Sequence, residues 1–420
     1  MRISRRHFLL SVGLLPMAGR SRAAGGRVVI VGGGWGGLSA ARHLRSLAPD
    51  LDIVLIDRQP AFTSFALSNR WLVDAAAPAP ERHDYFALAQ RWGYRFIQAE
   101  VKSIERTARI VVAGQARLPY DWLVIAPGIR EDFSAWQVDD PAVVAELQWQ
   151  HSGAMVRADD LSGLKRRLAE FKQGELLLTI PPAPYRCPPA PYERAMLLAW
   201  WLKRRKIRGK LIIVDPNPVM PAFRESLLER FEAQVTYIDH ARIRQIDPAR
   251  KIVSTEIDDI PFTEALLCPP QQAASLLWEA GLIRPEAESG RPSGWAAQGA
   301  LDCRSPSDAR IFVVGDACGL VSPAFGNYPK TGHVANRMGL LVARQIATEA
   351  TGRSFDAVLP ESVCHVVSSV EPDERTRIET RYRLRGDGFL LQEVKQTRNR
   401  APAGEDVAWA DAMYRDFLRP

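Results

Sequence analysis

The stretch RVVIVGGGWGGLSAARHL, from Arg27 to Leu44, constrains the fold of this chain more than any other. β-Branched residues run into glycines and then into an amphipathic segment, the order of a strand, a tight turn and a helix. Gly32, Gly34 and Gly37 fall on a GxGxxG spacing. In that pattern the first glycine permits the turn, the second lets the backbone approach a pyrophosphate and the third lets helix and strand pack closely. The helix start adds unpaired N–H groups and the positive end of its dipole. A second strand, DIVLID, ends at Asp57, 20 residues after Gly37, where an acidic side chain can bind ribose hydroxyls. Strand, glycines, helix, strand and acid in register predict a dinucleotide-binding α/β unit.

Two later segments indicate which dinucleotide. YDWLVIAPG, ending at Gly128, resembles the middle signature of two-dinucleotide-binding flavoproteins, and ARIFVVGDAC, with Gly315 and Asp316, resembles their late one. In that late signature an apolar strand delivers an aspartate to the ribityl and pyrophosphate region of the flavin. The order of the three segments matches that class and implies FAD. A second βαβ unit is expected between them: strand GELLLTIP, a helical stretch YERAMLLAWWLKRR and strand GKLIIVD ending at Asp215. Its connecting turn reads PPAPYRCPPAPYE, where a nicotinamide-binding unit would carry glycines. Proline has no N–H to offer a phosphate and fixes φ, so this loop cannot cradle a pyrophosphate.

These segments predict an α/β protein with two Rossmann-like three-layer domains of the glutathione reductase type and a C-terminal α+β interface region. The expected boundaries are 25–140 with 282–354 for a discontinuous FAD domain, 141–281 for a degenerate NAD(P)H-type domain and 355–420 for the C-terminal region. The final stretch EDVAWADAMYRDFL reads as a helix short for a membrane anchor, more suited to packing on its own protein. No apolar run reaches the roughly 20 residues of a spanning helix.

The formal charge of +7 over 420 residues would suggest a polyanionic partner, but five of the positive charges lie in the first 24 residues, at Arg2, Arg5, Arg6, Arg20 and Arg22. That segment is basic, then apolar from Phe8 to about Leu15, then small to Ala24, and the Arg5-Arg6 pair within SRRHFLL has the twin-arginine form. It reads as a signal for export of a folded protein to the periplasm. Its removal would bring the charge to +2, and no nucleic-acid partner is expected.

Five cysteines, Cys187, Cys268, Cys303, Cys318 and Cys364, are too few for a disulfide scaffold, and none forms CxxC or CxxCH. No spacing of histidines and carboxylates suggests a metal. YRCPPAPYERA around Cys187, the segment from Gly315 to Asn336 containing GDAC and PKTGHVAN, and the Cys364 region resemble the flavoprotein subunit of flavocytochrome c sulfide dehydrogenase. This is a relative of glutathione reductase and of sulfide:quinone oxidoreductase. The resemblance implies that Cys187 and Cys364, 177 residues apart, form a redox-active disulfide beside the flavin. It also places Glu193 beside that disulfide as a proton acceptor, although a carboxylate at a helix start also serves the dipole. It suits Lys330 to the pyrimidine edge of the flavin, where a cation stabilises reduced flavin. Cys318 reads as a packing residue.

One departure bears on the cofactor. Members of that family carry a flavin-linking cysteine in a context like TCYLSN, and this chain has SFALSN, with Phe65 at the cysteine position. Phenylalanine cannot form the thioether, so FAD is expected to bind noncovalently. The implied substrate is sulfide or a related reduced-sulfur compound, and the implied partner is a separate c-type cytochrome. Quinone as acceptor, an accessory role on partner thiols or persulfides in thiosulfate oxidation, NADH-dependent disulfide reduction and a flavin-binding assembly module without turnover are the other readings.

Overall fold

The computed structural model describes residues 25–356 and 359–419, so the export-signal reading of residues 1–24 lies outside the described residues. Strand β1 (Arg27–Val31) leads into helix α1 (Trp35–Leu47) and strand β2 (Asp52–Asp57). A short helix, α2 (Ser68–Leu72), follows, then strands β3 (Arg95–Gln98) and β4 (Trp122–Ile125). The chain then builds a second sheet from β5 (Gln173–Thr179), helix α3 (Ala190–Arg204), β6 (Arg208–Val214), β7 (Val235–Ile238) and β8 (Glu264–Leu266). It returns to the first sheet as β9 (Arg304–Ser305) and β10 (Asp308–Val313), followed by helix α4 (Gly332–Thr351). Strands β11 (Ser362–Ser369), β12 (Glu374–Leu384) and β13 (Leu390–Asn399) and helix α5 (Glu405–Phe417) complete it.

The first sheet has the order β9-β10-β4-β1-β2-β3, parallel except for the β9–β10 pair. The second, β7-β6-β5-β8, is parallel throughout, and β11-β12-β13 form an antiparallel sheet. Parallel strands are covered on both faces, which explains why β1 and β2 are nearly continuous apolar runs rather than alternating ones. Helix α3 is apolar almost all round for a related reason: it lies between β6 and the C-terminal strand β11. Val366 and Val367 of β11 join the hydrophobic cluster that α3 forms with the second sheet.

The terminal helix packs on its own chain, as its short length suggests. Phe417 is 1% exposed, with its ring 5.1 Å from Trp35 of α1 and 6.2 Å from Phe62, and Tyr414 stacks on Trp35 while donating a hydrogen bond to Ser64 Oγ. Among the described residues no helix is long and apolar enough to cross a membrane. Truncating Phe417 leaves a cavity between α5 and α1, so Phe417→Ala should cost about 3–5 kcal/mol in chemical denaturation and release α5 to proteolysis ahead of the rest.

Candidate active site

The glycine turn after β1 is shaped as the fingerprint requires. Gly32 has φ +99°, and a Cβ there would lie 2.2 Å from the Ala126 carbonyl oxygen; one on Gly37 would lie 1.9 Å from the Gly32 oxygen. A Cβ on Gly34 would meet nothing within 4 Å, leaving open space before the uncapped start of α1. Asp57 accepts hydrogen bonds from the Gly33 amide (2.7 Å) and the Gln59 amide (2.8 Å), so it fixes the glycine turn and retains free lone pairs. The buried Tyr85 hydroxyl donates to the Gly33 carbonyl from below, a support no motif indicated.

The middle and late signatures meet around one guanidinium. Arg186 Nε donates to Asp316 Oδ2 at 2.6 Å, and Arg186 Nη1 donates to the Val156 carbonyl at 3.0 Å. Its Nη2 lies 3.2 Å from where a Cβ on Gly128 would sit, and its Cζ is 5.9 Å from the Phe65 ring centroid. Gly128 and Gly315 hold φ of +73° and +81° at the ends of their strands. The second carboxylate oxygen of Asp316, Oδ1, is buried with no hydrogen-bond partner. An acceptor so placed suits a ribityl hydroxyl, and with the open space at Gly34 it fits this chain to FAD. Lys330 is buried, donating to the carbonyls of Asp316 (2.8 Å) and Cys318 (2.7 Å), with Nζ 3.6 Å from the Trp295 ring centroid. Its ammonium is thus committed to the backbone of the late signature.

The proline loop is clamped at every turn. Asn217 donates to the Pro181 carbonyl (2.9 Å) and accepts from the Ala183 amide (3.0 Å), and Gln271 Oε1 accepts from the Arg186 amide (2.8 Å). The Cys187 amide donates to the Lys330 carbonyl at 2.6 Å, and the Cys187 carbonyl accepts from Ala190 at 2.8 Å, entering α3. The acid expected to end the second βαβ unit, Asp215, is fully buried and accepts from the Tyr192 and Tyr237 hydroxyls and from Asn217. It holds Asn217, which holds the loop.

The structure brings Cys187 and Cys364 together from α3's approach and from β11. Both are partly exposed. The neighbouring Cys187 thiol, burial and the nearby Glu193 carboxylate together raise the Cys364 pKa well above the usual thiol range. Glu193, in the first turn of α3, is partly buried: Oε1 accepts from the Val367 amide of β11 and Oε2 from Asn69 Nδ2, both at 2.7 Å. Burial pushes its pKa up, against the opposing pull of those two donors. Asn69 of α2 turns its oxygen to Arg194 Nε at 2.9 Å, so one amide joins the Glu193 carboxylate and the buried guanidinium. The charge of Arg194 acts on Glu193, Cys187 and Cys268.

Asn69, Arg186 and Arg194 were not singled out from the sequence; all three lie within the quoted SFALSN and YRCPPAPYERA segments, which is the signal that could have found them. His333 accepts from the Val363 amide at Nδ1 (3.1 Å), beside Cys364, and serves as a backbone prop. Cys268, Cys303 and Cys318 are buried, and burial pushes Cys268 and Cys318 up to about 12.

Residues 26–147 match the model of the pyridine nucleotide-disulphide oxidoreductases, and residues 162–266 match that of the central part of the sulfide dehydrogenase [flavocytochrome c] flavoprotein chain. The sulfide-quinone reductase of Aquifex aeolicus is 26% identical over 350 residues, which is 77% of this chain and 76% of that protein. The sulfide dehydrogenase [flavocytochrome c] flavoprotein chain of Chlorobaculum thiosulfatiphilum is 46% identical over 43 residues, 10% of this chain and 90% of that sequence. The fold is that of the sulfide:quinone oxidoreductase structure from Aquifex aeolicus, with a TM-score of 0.69 at 19% identity over 94% of this chain and 92% of that one.

Fold, signatures and matches define a flavin-dependent oxidoreductase of the pyridine nucleotide-disulphide oxidoreductase family, an FAD-binding family. Within it the chain belongs with the sulfide-oxidising flavoproteins, the group of the flavocytochrome c sulfide dehydrogenase flavoprotein chain and sulfide-quinone reductase.

Burial pulls the Lys330 ammonium down to about 8. A lysine whose folded pKa lies below its ordinary value costs stability while charged, and the cost is relieved as pH rises from about 8 toward 10.5. Urea denaturation of the full chain across that window should therefore show stability rising with pH, by an amount on the order of 3 kcal/mol. Lys330→Met should flatten that rise.

Proposed function

We propose that this chain is the flavoprotein subunit of a periplasmic sulfide dehydrogenase, oxidising sulfide through a Cys187–Cys364 disulfide and passing the electrons by way of noncovalent FAD to a separate c-type cytochrome. The observation that carries the reading is the placement of Cys187, anchored by its amide to the Lys330 carbonyl beside the flavin signatures, as the neighbour of Cys364. In the oxidised chain hydrosulfide attacks one sulfur of the disulfide: a new S–S bond forms, the old one breaks, and the products are a cysteine persulfide and a cysteine thiolate. Glu193 is positioned to take the proton of hydrogen sulfide or of a thiol. When bound, FAD supplies a two-electron acceptor that can release its electrons singly. Gly32, Gly34, Gly37, Asp57, Gly128, Gly315, Asp316 and Lys330 are the residues assigned to hold it, and Phe65 leaves it unlinked.

The cytochrome reading is supported by the match of residues 162–266 to the flavocytochrome c flavoprotein chain and by the absence of CxxCH in this sequence. The likeness to sulfide-quinone reductase favours quinone as the second reading. The terminal helix α5, the stretch that could have offered a membrane contact toward quinone, packs on α1 instead, and the proline loop with its sealed Asp215 argues against NADH. The twin-arginine segment supports export to the periplasm.

Anaerobic sulfide should bleach the flavin of the loaded protein, and Cys187→Ser or Cys364→Ser should abolish rapid bleaching. Glu193→Gln should slow it by roughly a hundredfold. Turnover with cytochrome c and with a quinone analogue separates the two acceptors; a wild-type flavin that stays oxidised with sulfide yet is reduced by NADH defeats the proposal. Acid or heat denaturation should release all FAD to the supernatant, and flavin that stays on the polypeptide would show a covalent link.

A further inference from the structure

Arg186 stands apart among the residues around the site. It precedes Cys187, yet its side chain turns to the cofactor signatures: Nε meets Asp316 Oδ2 at 2.6 Å, its guanidinium faces Phe65, and Nη2 borders Gly128. Its backbone pairs with Lys330 as an isolated parallel bridge. The Asp316 carboxylate has two oxygens with different fates: Oδ2 is bound to Arg186 and Oδ1 is buried and unpartnered. Fixing one oxygen orients the other. Cys187 is held in a left-handed conformation, φ +51°, which a non-glycine residue keeps only when its surroundings over-determine it. The Arg186 guanidinium, anchored at Asp316 and at the Val156 carbonyl, is one of those restraints.

We propose that Arg186 is a positioning residue that couples the two halves of the site, aiming Asp316 Oδ1 for the ribityl chain of FAD and, through the same ion pair, holding the Cys187 backbone in place for thiol chemistry. It acts on the flavin through Asp316 and on the sulfur through its own peptide. The assignment rests on FAD binding at these signatures, and none of its readouts uses sulfide, so loss of sulfide oxidation and loss of this coupling are told apart.

The experiment is a double-mutant cycle on the full chain with Arg186→Gln, Asp316→Asn and both. FAD affinity is read by flavin fluorescence, and alkylation of Cys187 is followed by mass spectrometry in anaerobically reduced protein at saturating FAD. Arg186→Gln should weaken FAD roughly tenfold, the scale of a lost charge-assisted hydrogen bond. The double variant should match Asp316→Asn to within about twofold. Asp316→Asn, distant from Cys187 in the chain, should speed its alkylation roughly fivefold, as local restraint of about 1 kcal/mol is lost. Arg186→Lys should restore part of both effects and serves as the second variant if Arg186→Gln does not fold by circular dichroism. An Arg186→Gln protein that binds FAD like wild type, losses that multiply in the double variant, or Cys187 reactivity unmoved by Asp316→Asn would each overturn the assignment.

Discussion

Everything at this site hangs from the hydrogen bond between the Cys187 amide and the Lys330 carbonyl, 2.6 Å long. It joins the cysteine loop of the second sheet to the segment that follows the late signature of the first, and so ties Cys187 to the flavin signatures by backbone alone. Cys187 adopts a left-handed backbone that costs of order 1 kcal/mol or more for a residue with a Cβ. That cost is offset by the bonds on either side: Gln271 to the Arg186 amide, Lys330 to the Cys187 amide and the Cys187 carbonyl to Ala190. The thiol is therefore presented by a rigid loop, which suits chemistry that needs two sulfurs in one fixed relation.

The second sheet shows how a nucleotide-binding architecture has been turned to this end. Its parallel strands keep the geometry in which ligands bind beyond the strand C-termini, and the cysteine loop occupies that crevice. Prolines remove the amides a phosphate would need. Asp215, placed where an acid would take ribose hydroxyls, is spent on Tyr192, Tyr237 and Asn217, and Asn217 fastens Pro181 and Ala183. The acid that would serve such a binding site is instead the footing of the cysteine loop.

Some of this was legible in the residue order. The glycine turn, the acid at Asp57 and the parallel strands are local signals, set by close approach and by apolar runs that need no distant partner to be seen. That the terminal stretch is a short helix packing on its own protein was legible, but that it packs on Trp35 and Phe62 was not, because length says nothing of which distant side chains it meets. Composition and spacing could not have paired Cys187 with Cys364; the resemblance implied it and the fold brings them into contact. Arg186, Asn69 and Arg194 escaped notice because arginine and asparagine are ordinary surface residues until burial makes their hydrogen bonds obligatory.

The C-terminal strand carries the other sulfur, and its placement comes from three separate parts of the chain. His333 holds the Val363 amide, Glu193 holds the Val367 amide, and Ser226 Oγ donates to the Ser368 carbonyl. Glu193 is the telling member, since it fixes the strand with one oxygen and faces the thiols with a charge that burial makes costly. A carboxylate has about four acceptor positions, so bonds to Val367 and Asn69 leave room for a proton. Disulfide geometry tolerates Cα separations only to about 7 Å, which makes the strand's register part of the chemistry. In the proposed reaction, removing Glu193 would disturb both proton transfer and the approach of the sulfurs, because the burial that raises its pKa is produced in part by the strand it holds.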